Sequence, residues 1–414
     1  MKNLNIDLIN NDSERCLMCK VPRCKKNCPI NTDIPTVIGL YKENKLEEAG
    51  KILFDNNPLS VVCSIVCPHE NQCEGNCIRG IKGEPIEFGD IEHYISYKYL
   101  KKLKLNKVKS NGHKVAIVGS GPAGISIAFI LAMKGYDITI FEKMRNLGGM
   151  LRYGIPEYRL PNEILDTIEE RLIELNVKIR YNTLVGPVVT IDRLLEDGYN
   201  AVFIGTGVWN PKSLNVKGEM QGHVNYAINY LMEPDSFKLG KNVVVVGAGN
   251  VAMDAARVAK RRGSNVKIVY RKGFEEMTAT NEEIREAKED GVEFVLYKSP
   301  VEILEDGVKF INTEKQVSEE GKIGFKTIEG AEEVITCDSV IIAISQSPKN
   351  NIVTNTKQLE TTKNGLLAVD EVGHTSRTGV FASGDVVTGA KTVVEAVANA
   401  KVVAEAMDKY CKTV

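Results

Sequence analysis

At 414 residues the chain is longer than one hydrophobic core usually organises, so about two to three domains are expected. With 43% apolar residues, 26% charged residues and a net charge of -1, a disordered or fibrous class is excluded, and neither nucleic acid nor an anionic membrane has an electrostatic claim on it. Met1 to Arg15 is polar and lacks the stages of a signal peptide, and no apolar run is long enough to span a bilayer, so a cytoplasmic location is expected.

In chain order, the first feature is a crowd of cysteines: eight of the ten lie between Cys16 and Cys77. In a reducing compartment such a crowd reads as metal-binding or catalytic rather than as disulfides. The spacings are Cys16-x2-Cys19-x4-Cys24-x3-Cys28-Pro29, then Cys63-x3-Cys67-Pro68-x4-Cys73-x3-Cys77. Thiolates this close can surround an iron–sulfur cluster, and a proline after the last cysteine of a run is familiar from ferredoxin-type sites. Structural zinc also uses four cysteines, but zinc sites more often show two paired CxxC knuckles, whereas one tight run is followed here by a looser one. Spacing does not say which cysteine serves which metal group. A helical stretch is expected from Pro35 to Phe54, and the basic run Lys98 to Lys114 reads as a solvated helix end or linker.

From Lys114 the pattern changes to apolar strand-like runs that lead into glycine turns and helical periodicity. This layout occurs twice, at Lys114 to Glu142 and at Lys241 to Arg271, as an internal repeat of one nucleotide-binding architecture. In the first copy, Gly119-Ser-Gly121-Pro122-Ala123-Gly124 supplies the tight turn, the close approach to a pyrophosphate and the helix–strand packing. Glu142 ends its second strand, where a carboxylate can accept hydrogen bonds from a ribose. In the second copy, Gly247-Ala-Gly249-Asn250-Val251-Ala252 is the variant with alanine in the third place. Arg271 and Lys272 stand where the first copy has Glu142; they would attract a 2′-phosphate, which favours NADPH over NADH, unless they are merely surface charges. A third apolar stretch, Ser339 to Ile344, precedes Gly379 to Asp385 and a final helix from about Thr392, so the chain is expected to return to its first nucleotide domain. His69, His93 and His223 are scattered and Trp209 reads as packing; Cys337 and Cys411 are isolated and carry no assigned role.

RCLMCKVPRCKKNCP, VCSIVCPHENQCEGNC, GEPIEFGDIE, GSGPAG, GGMLRYGIPEYRLP, GAGNVAMDAAR, YRKGF and GVFASGDVVTGAKTVVEA, in that order, resemble the small (beta) subunit of glutamate synthase. They also look like the N-terminal half of dihydropyrimidine dehydrogenase and its bacterial stand-alone flavin subunit. The resemblance covers nearly the whole chain. It implies an α/β fold with two Rossmann-like, glutathione-reductase-like domains preceded by an α-helical iron–sulfur domain. By it, residues 1–110 hold two [4Fe–4S] clusters, 111–240 and 337–414 bind FAD, and 241–336 bind NAD(P)H. Carried over by position, Cys16, Cys19, Cys24 and Cys77 hold one cluster, while Cys28, Cys67, Cys73 and Glu92 hold the other and Cys63 is left without metal. An exposed helix charge is the alternative for Glu92. The FAD site takes in the first glycine turn, Glu142, Gly149, Arg152, Gly384 and Asp385; the NADPH or NADH site is the second turn with Arg271 and Lys272. Where some relatives place a further arginine, this sequence has Glu276-Met-Thr278-Ala279.

The implied activity is NAD(P)H-dependent flavin and iron–sulfur oxidoreduction, with electrons passed to a partner subunit or to ferredoxin and with no acid–base residue needed for the hydride step. The alternatives are the flavin subunit of an NAD(P)-dependent dihydropyrimidine dehydrogenase and a stand-alone diaphorase. From another class, the cysteine lobe could be a zinc-stapled interaction module. A disulfide reductase is disfavoured, because the second nucleotide domain has no CxxC pair. The oligomeric state is left open.

Overall fold

The computed structural model describes residues 4–318 and 323–414. It divides into two compact units, Met1–Arg152 with Glu157–Val208 and Ser347–Val414, and Tyr153–Pro156 with Trp209–Gln346. The expected boundaries at 240 and 337 differ from this division, which gives 209–240 and 337–346 to the second unit. The reason is strand pairing: Val224–Tyr226 and Ser339–Ile342 are hydrogen-bonded to each other, and Ser339–Ile342 to Asn242–Val246.

The first unit begins with the cysteine lobe, which is helical. The stretch expected as one helix from Pro35 is two, Ile34–Lys42 and Leu46–Asn56, because Asn44 adopts the left-handed conformation at φ 58° and turns the chain between them. Their apolar faces meet helix Phe88–Lys102 through Val37, Ile38, Leu53, Ile91 and Ile95, and Cys73 is part of the same core. The lysine-rich run is the end of helix Phe88–Lys102 followed by coil.

After the lobe comes a five-stranded parallel sheet in the order Val380–Ala382, Ala201–Ile204, Lys114–Val118, Asp137–Phe141, Lys178–Arg180. The return of the C-terminal segment is seen in its first member. Four buried residues in a row on Lys114–Val118 fit a strand covered on both faces. Helix Pro122–Met133 is apolar all round, and the C-terminal helix Val393–Cys411 lies along it. That last helix starts with a capping box: Glu395 N–H donates to Thr392 Oγ1, and Thr392 N–H donates to Glu395 Oε2 at 3.1 Å. Farther along, Tyr136 donates to Asp408 Oδ1 at 2.7 Å and Lys134 pairs with the same carboxylate.

The second unit repeats the parallel sheet in the order Val224–Tyr226, Ser339–Ile342, Asn242–Val246, Asn265–Tyr270, Glu293–Leu296, and adds an antiparallel sheet of Lys298–Leu304, Gly307–Val317 and Ile323–Thr336. Helix Asn250–Arg261 buries Ala252, Met253, Ala255 and Ala256 and sets Arg257 against Glu286 and Asp290. Among the described residues no helix is long and apolar enough to cross a membrane.

Candidate cofactor sites

Cys16, Cys67 and Cys77 sit at the ends of short helices, where the helix leaves backbone groups without an internal partner. Cys16 closes helix Ile6–Arg15, Cys24 lies in the turn Arg23–Lys26, and Cys77 opens the turn Ile78–Ile81. Together with Cys19 and Cys73 they line a cavity of about 120 Å³ whose walls include Ile34, Ile38 and Phe88. Burial pushes the Cys16 thiol up, and the neighbouring Cys19 and Cys77 add to the push. Burial, then Cys77, Cys16 and Cys19, takes Cys24 up to about 11. The four cysteines expected as one set are therefore close enough to sense each other's charge.

The second set is drawn together more deeply. Cys67 caps helix Ser60–Val66, and Glu92 projects from helix Phe88–Lys102. A hydrogen bond with Cys63 pushes Cys67 far up, followed by burial and by the charges of Cys63, Glu92 and Cys73. Burial raises Cys73, and Glu74, Glu92 and Cys28 raise it further. Glu92 is only 6% exposed, so the exposed-charge alternative does not hold; burial and then Cys63 and Glu74 raise its carboxyl well above the usual range. Among the described residues, no group of three or more His, Cys, Asp or Glu is set to hold a single metal ion. Burial, with the charges of neighbouring cysteines and acids, raises Cys16, Cys24 and Cys73, as the Cys63 hydrogen bond and burial raise Cys67, and a positively charged metal group would offset the cost of holding them as thiolates. That donor chemistry fits an iron–sulfur cluster, whose cationic core binds thiolates.

In the first nucleotide turn each glycine has a distinct physical reason. Gly119 has φ 98°. A Cβ at Gly124 would lie 2.1 Å from the Gly119 carbonyl oxygen, so only glycine fits there. Gly121 caps helix Pro122–Met133, with Pro122 in the first turn, where its missing N–H costs nothing. Gly149 and Gly384 close around this turn: a Cβ on Gly149 would stand 2.9 Å from Gly121 Cα, and one on Gly384 would stand 3.3 Å from Ala123 Cβ. Asp385 follows Gly384, and burial raises its carboxyl to about 6, with Glu395 adding to the rise. Arg152 is held nearby by the Leu147 carbonyl at 2.8 Å and by Asp166.

Glu142 stands one residue past strand Asp137–Phe141 and is 3% exposed. Its Oε2 accepts from the N–H of Ser120 at 2.9 Å and its hydroxyl at 2.6 Å, and Oε1 accepts from the N–H of Met144 at 2.7 Å. A carboxylate has about four lone-pair positions, so one remains for a further donor. Ser120, which occupies a variable place in the glycine motif, also receives the Gly148 N–H at 3.2 Å. It ties three predicted segments together, and only its small hydroxyl side chain beside the first glycine hints at this in the sequence.

The second turn follows the same plan. Gly247 has φ 134°, and a Cβ there would be 2.3 Å from the Ala343 carbonyl oxygen. Gly249 caps the helix that begins at Asn250 and Val251, and Ala252 fills the third position fully buried. A Cβ on Gly249 would meet Thr278 Oγ1 at 3.1 Å, and the N–H groups of Thr278 and Ala279 donate to the Ala248 carbonyl. The segment where the arginine of some relatives is lacking thus forms the wall of this turn. Arg271 and Lys272 lie just past strand Asn265–Tyr270; Arg271 is exposed, while Lys272 stands over the Phe325 ring at 5.4 Å.

Two protein families match the chain. Residues 113–400 match pyridine nucleotide-disulphide oxidoreductase, and residues 2–103 match dihydropyrimidine dehydrogenase domain II, 4Fe-4S cluster. The NADP(+)-dependent formate dehydrogenase subunit beta of Moorella thermoacetica is 35% identical over 94% of this chain; the chain spans 60% of that subunit's length. The glutamate synthase [NADPH] small chain of Escherichia coli is 32% identical over 95% of this chain and 89% of its own length. Among solved structures, Mycobacterium tuberculosis FprA in complex with NADPH matches with a TM-score of 0.63, at 18% identity over 73% of this chain and 85% of that one, a likeness of fold.

Proposed function

This chain belongs to the pyridine nucleotide-disulphide oxidoreductase family, among its relatives of the glutamate synthase small-chain type with FAD, NAD(P) and [4Fe–4S] as cofactors, and on that premise we propose that it is an electron-transfer subunit. It moves electrons between NADPH and a partner subunit or ferredoxin. The observation that carries the reading is that the cysteine-lined cavity and the first dinucleotide turn lie in one compact unit.

In this reading Cys16, Cys19, Cys24 and Cys77 hold one cluster, and Cys28, Cys67, Cys73 and Glu92 hold a second. A flavin held here would supply hydride acceptance and one-electron release, and clusters held by these residues would supply one-electron carriage. The protein's own task is binding and orientation. The free N–H groups at the start of helix Pro122–Met133 face the FAD pyrophosphate, and the remaining lone pair of Glu142 takes a ribose hydroxyl. Gly247, Gly249 and the start of helix Asn250–Arg261 do the same for the pyridine nucleotide. Arg271 receives the 2′-phosphate; Lys272, already over a ring, contributes less.

Arg271→Ala tests the nucleotide assignment. Loss of one charge-assisted contact is expected to raise KM for NADPH by about 10- to 100-fold, with KM for NADH and kcat nearly unchanged. Equal effects on both nucleotides would remove the 2′-phosphate role. Reduction of the bound flavin by NADPH in stopped-flow, followed by transfer to a co-purified protein acceptor, tests the subunit reading itself; a protein with neither step is not an electron-transfer subunit.

A further inference from the structure

Helix Val393–Cys411 carries one basic residue that does not face solvent. Lys401 is half-buried, and its Nζ donates to the Asn56 carbonyl at 2.9 Å and to Asn56 Oδ1 at 2.6 Å. Both partners lie 345 positions away, at the end of helix Leu46–Asn56 in the cysteine lobe. An ammonium only donates, so Lys401 fixes which way the Asn56 amide points: oxygen toward the cation, nitrogen away. The nitrogen donates to the Ile30 carbonyl and to Thr32 Oγ1, each at 3.3 Å. Thr32 is 3% exposed, and its Oγ1 is 3.3 Å from Cys28 Sγ. A thiol donates across that gap to the hydroxyl. Once Cys28 is a thiolate the direction reverses, because Thr32 already accepts from Asn56 and its own proton then points at the sulfur.

We propose that Lys401, Asn56 and Thr32 form a polarised hydrogen-bond relay that raises the reduction potential of the cluster held by Cys28. The inference rests on the reading of Cys28 as a cluster ligand. Every donor in the relay points from the cation toward the sulfur, so each bond strengthens the next. Reduction adds negative charge to a cluster, and hydrogen bonds to its sulfurs together with nearby positive charge favour the reduced state. The Cys28 charge acts on Lys401 in the expected sense: burial lowers the lysine, and Cys28 opposes that lowering. The relay thus gives the helix that begins beside Asp385 an electrostatic hold on the second cysteine set. Lys401, Asn56 and Thr32 are positioning residues, since they act through Cys28.

The test is a potentiometric titration of the anaerobic holoprotein followed by electron paramagnetic resonance, with Thr32→Val, Thr32→Ser and Lys401→Gln beside the wild type. Thr32→Val and Lys401→Gln are expected to shift the reduction equilibrium of one cluster about tenfold toward the oxidised state, about 59 mV for a one-electron couple. Thr32→Ser keeps the donor and should titrate as the wild type, and the other cluster, the flavin content and the iron content should not change. If Lys401→Gln fails to load iron, the two Thr32 variants, which leave the lysine in place, decide alone. Full iron with both midpoints unmoved in Thr32→Val overturns the relay, as does an equal shift of both clusters. Cys28→Ser with undiminished iron and sulfide would instead overturn the ligand assignment, and the relay with it.

Discussion

Replacing Cys24 or Cys73 with serine should each remove about half of the iron and acid-labile sulfide, and the two substitutions should erase different paramagnetic signals. In the proposed assignment the two thiols serve different clusters: after burial, Cys24 feels the charges of Cys77, Cys16 and Cys19, whereas Cys73 feels those of Glu74, Glu92 and Cys28. A ligand lost from one set leaves the other intact. Electron delivery to a protein acceptor should fall to background in both variants while the bound flavin is still bleached by NADPH. Cys63→Ser makes the contrast: Cys63 is 2% exposed and hydrogen-bonded to Cys67, but it is the cysteine left over, so this variant should keep its full iron. Loss of iron from Cys63→Ser to the level of Cys73→Ser would place Cys63 among the ligands and dismiss Glu92.

The second large effect is expected at the first glycine turn, where two neighbouring glycines should fail in different ways. A Cβ at Gly124 would sit 2.1 Å from a backbone oxygen and 3.3 Å from Ile117 Cγ2. Backbone cannot give way, so Gly124→Ala should lose about 1–3 kcal/mol or more of stability and emerge without flavin. At Gly121 a Cβ would have only the Gly205 oxygen at 4.0 Å, so the protein itself tolerates the methyl. Gly121→Ala should therefore melt, as apoprotein, near the wild-type temperature, yet bind FAD far more weakly because the methyl occupies the approach of the pyrophosphate. The measurements are flavin content after purification and thermal unfolding of the flavin-free forms. A Gly121→Ala protein with full flavin would move the pyrophosphate elsewhere.

Much of this was legible because it depends on local rules. Glycine at 119, 121 and 124, an acid after the second strand, and alternation of apolar runs with helical periodicity are all written within about 30 residues. The same holds for the cysteine runs, whose proximity in sequence forces proximity in space. What stayed hidden depends on long-range pairing. The edge strand Val224–Tyr226 is three residues long and partly exposed, so nothing in its pattern says which sheet it joins. Asn44 breaks a helix by a local left-handed turn that asparagine tolerates but does not announce. Lys401 reads as one more basic residue on an amphipathic helix; only the fold brings it to Asn56. Glu92 likewise takes its burial from packing between helices Ser60–Val66 and Phe88–Lys102, which no spacing reveals.

Thiolate-held clusters and a nucleotide-reducible flavin sharing this one chain underlie every prediction above. The most direct test is a titration of anaerobically purified protein with NADPH, read by flavin absorbance and by electron paramagnetic resonance, with metal content measured on the same sample. The expected result is iron with matching labile sulfide, bleaching of the flavin, and the appearance of reduced [4Fe–4S] signals. Zinc in place of iron, or a flavin that neither NADPH nor NADH bleaches, would contradict it.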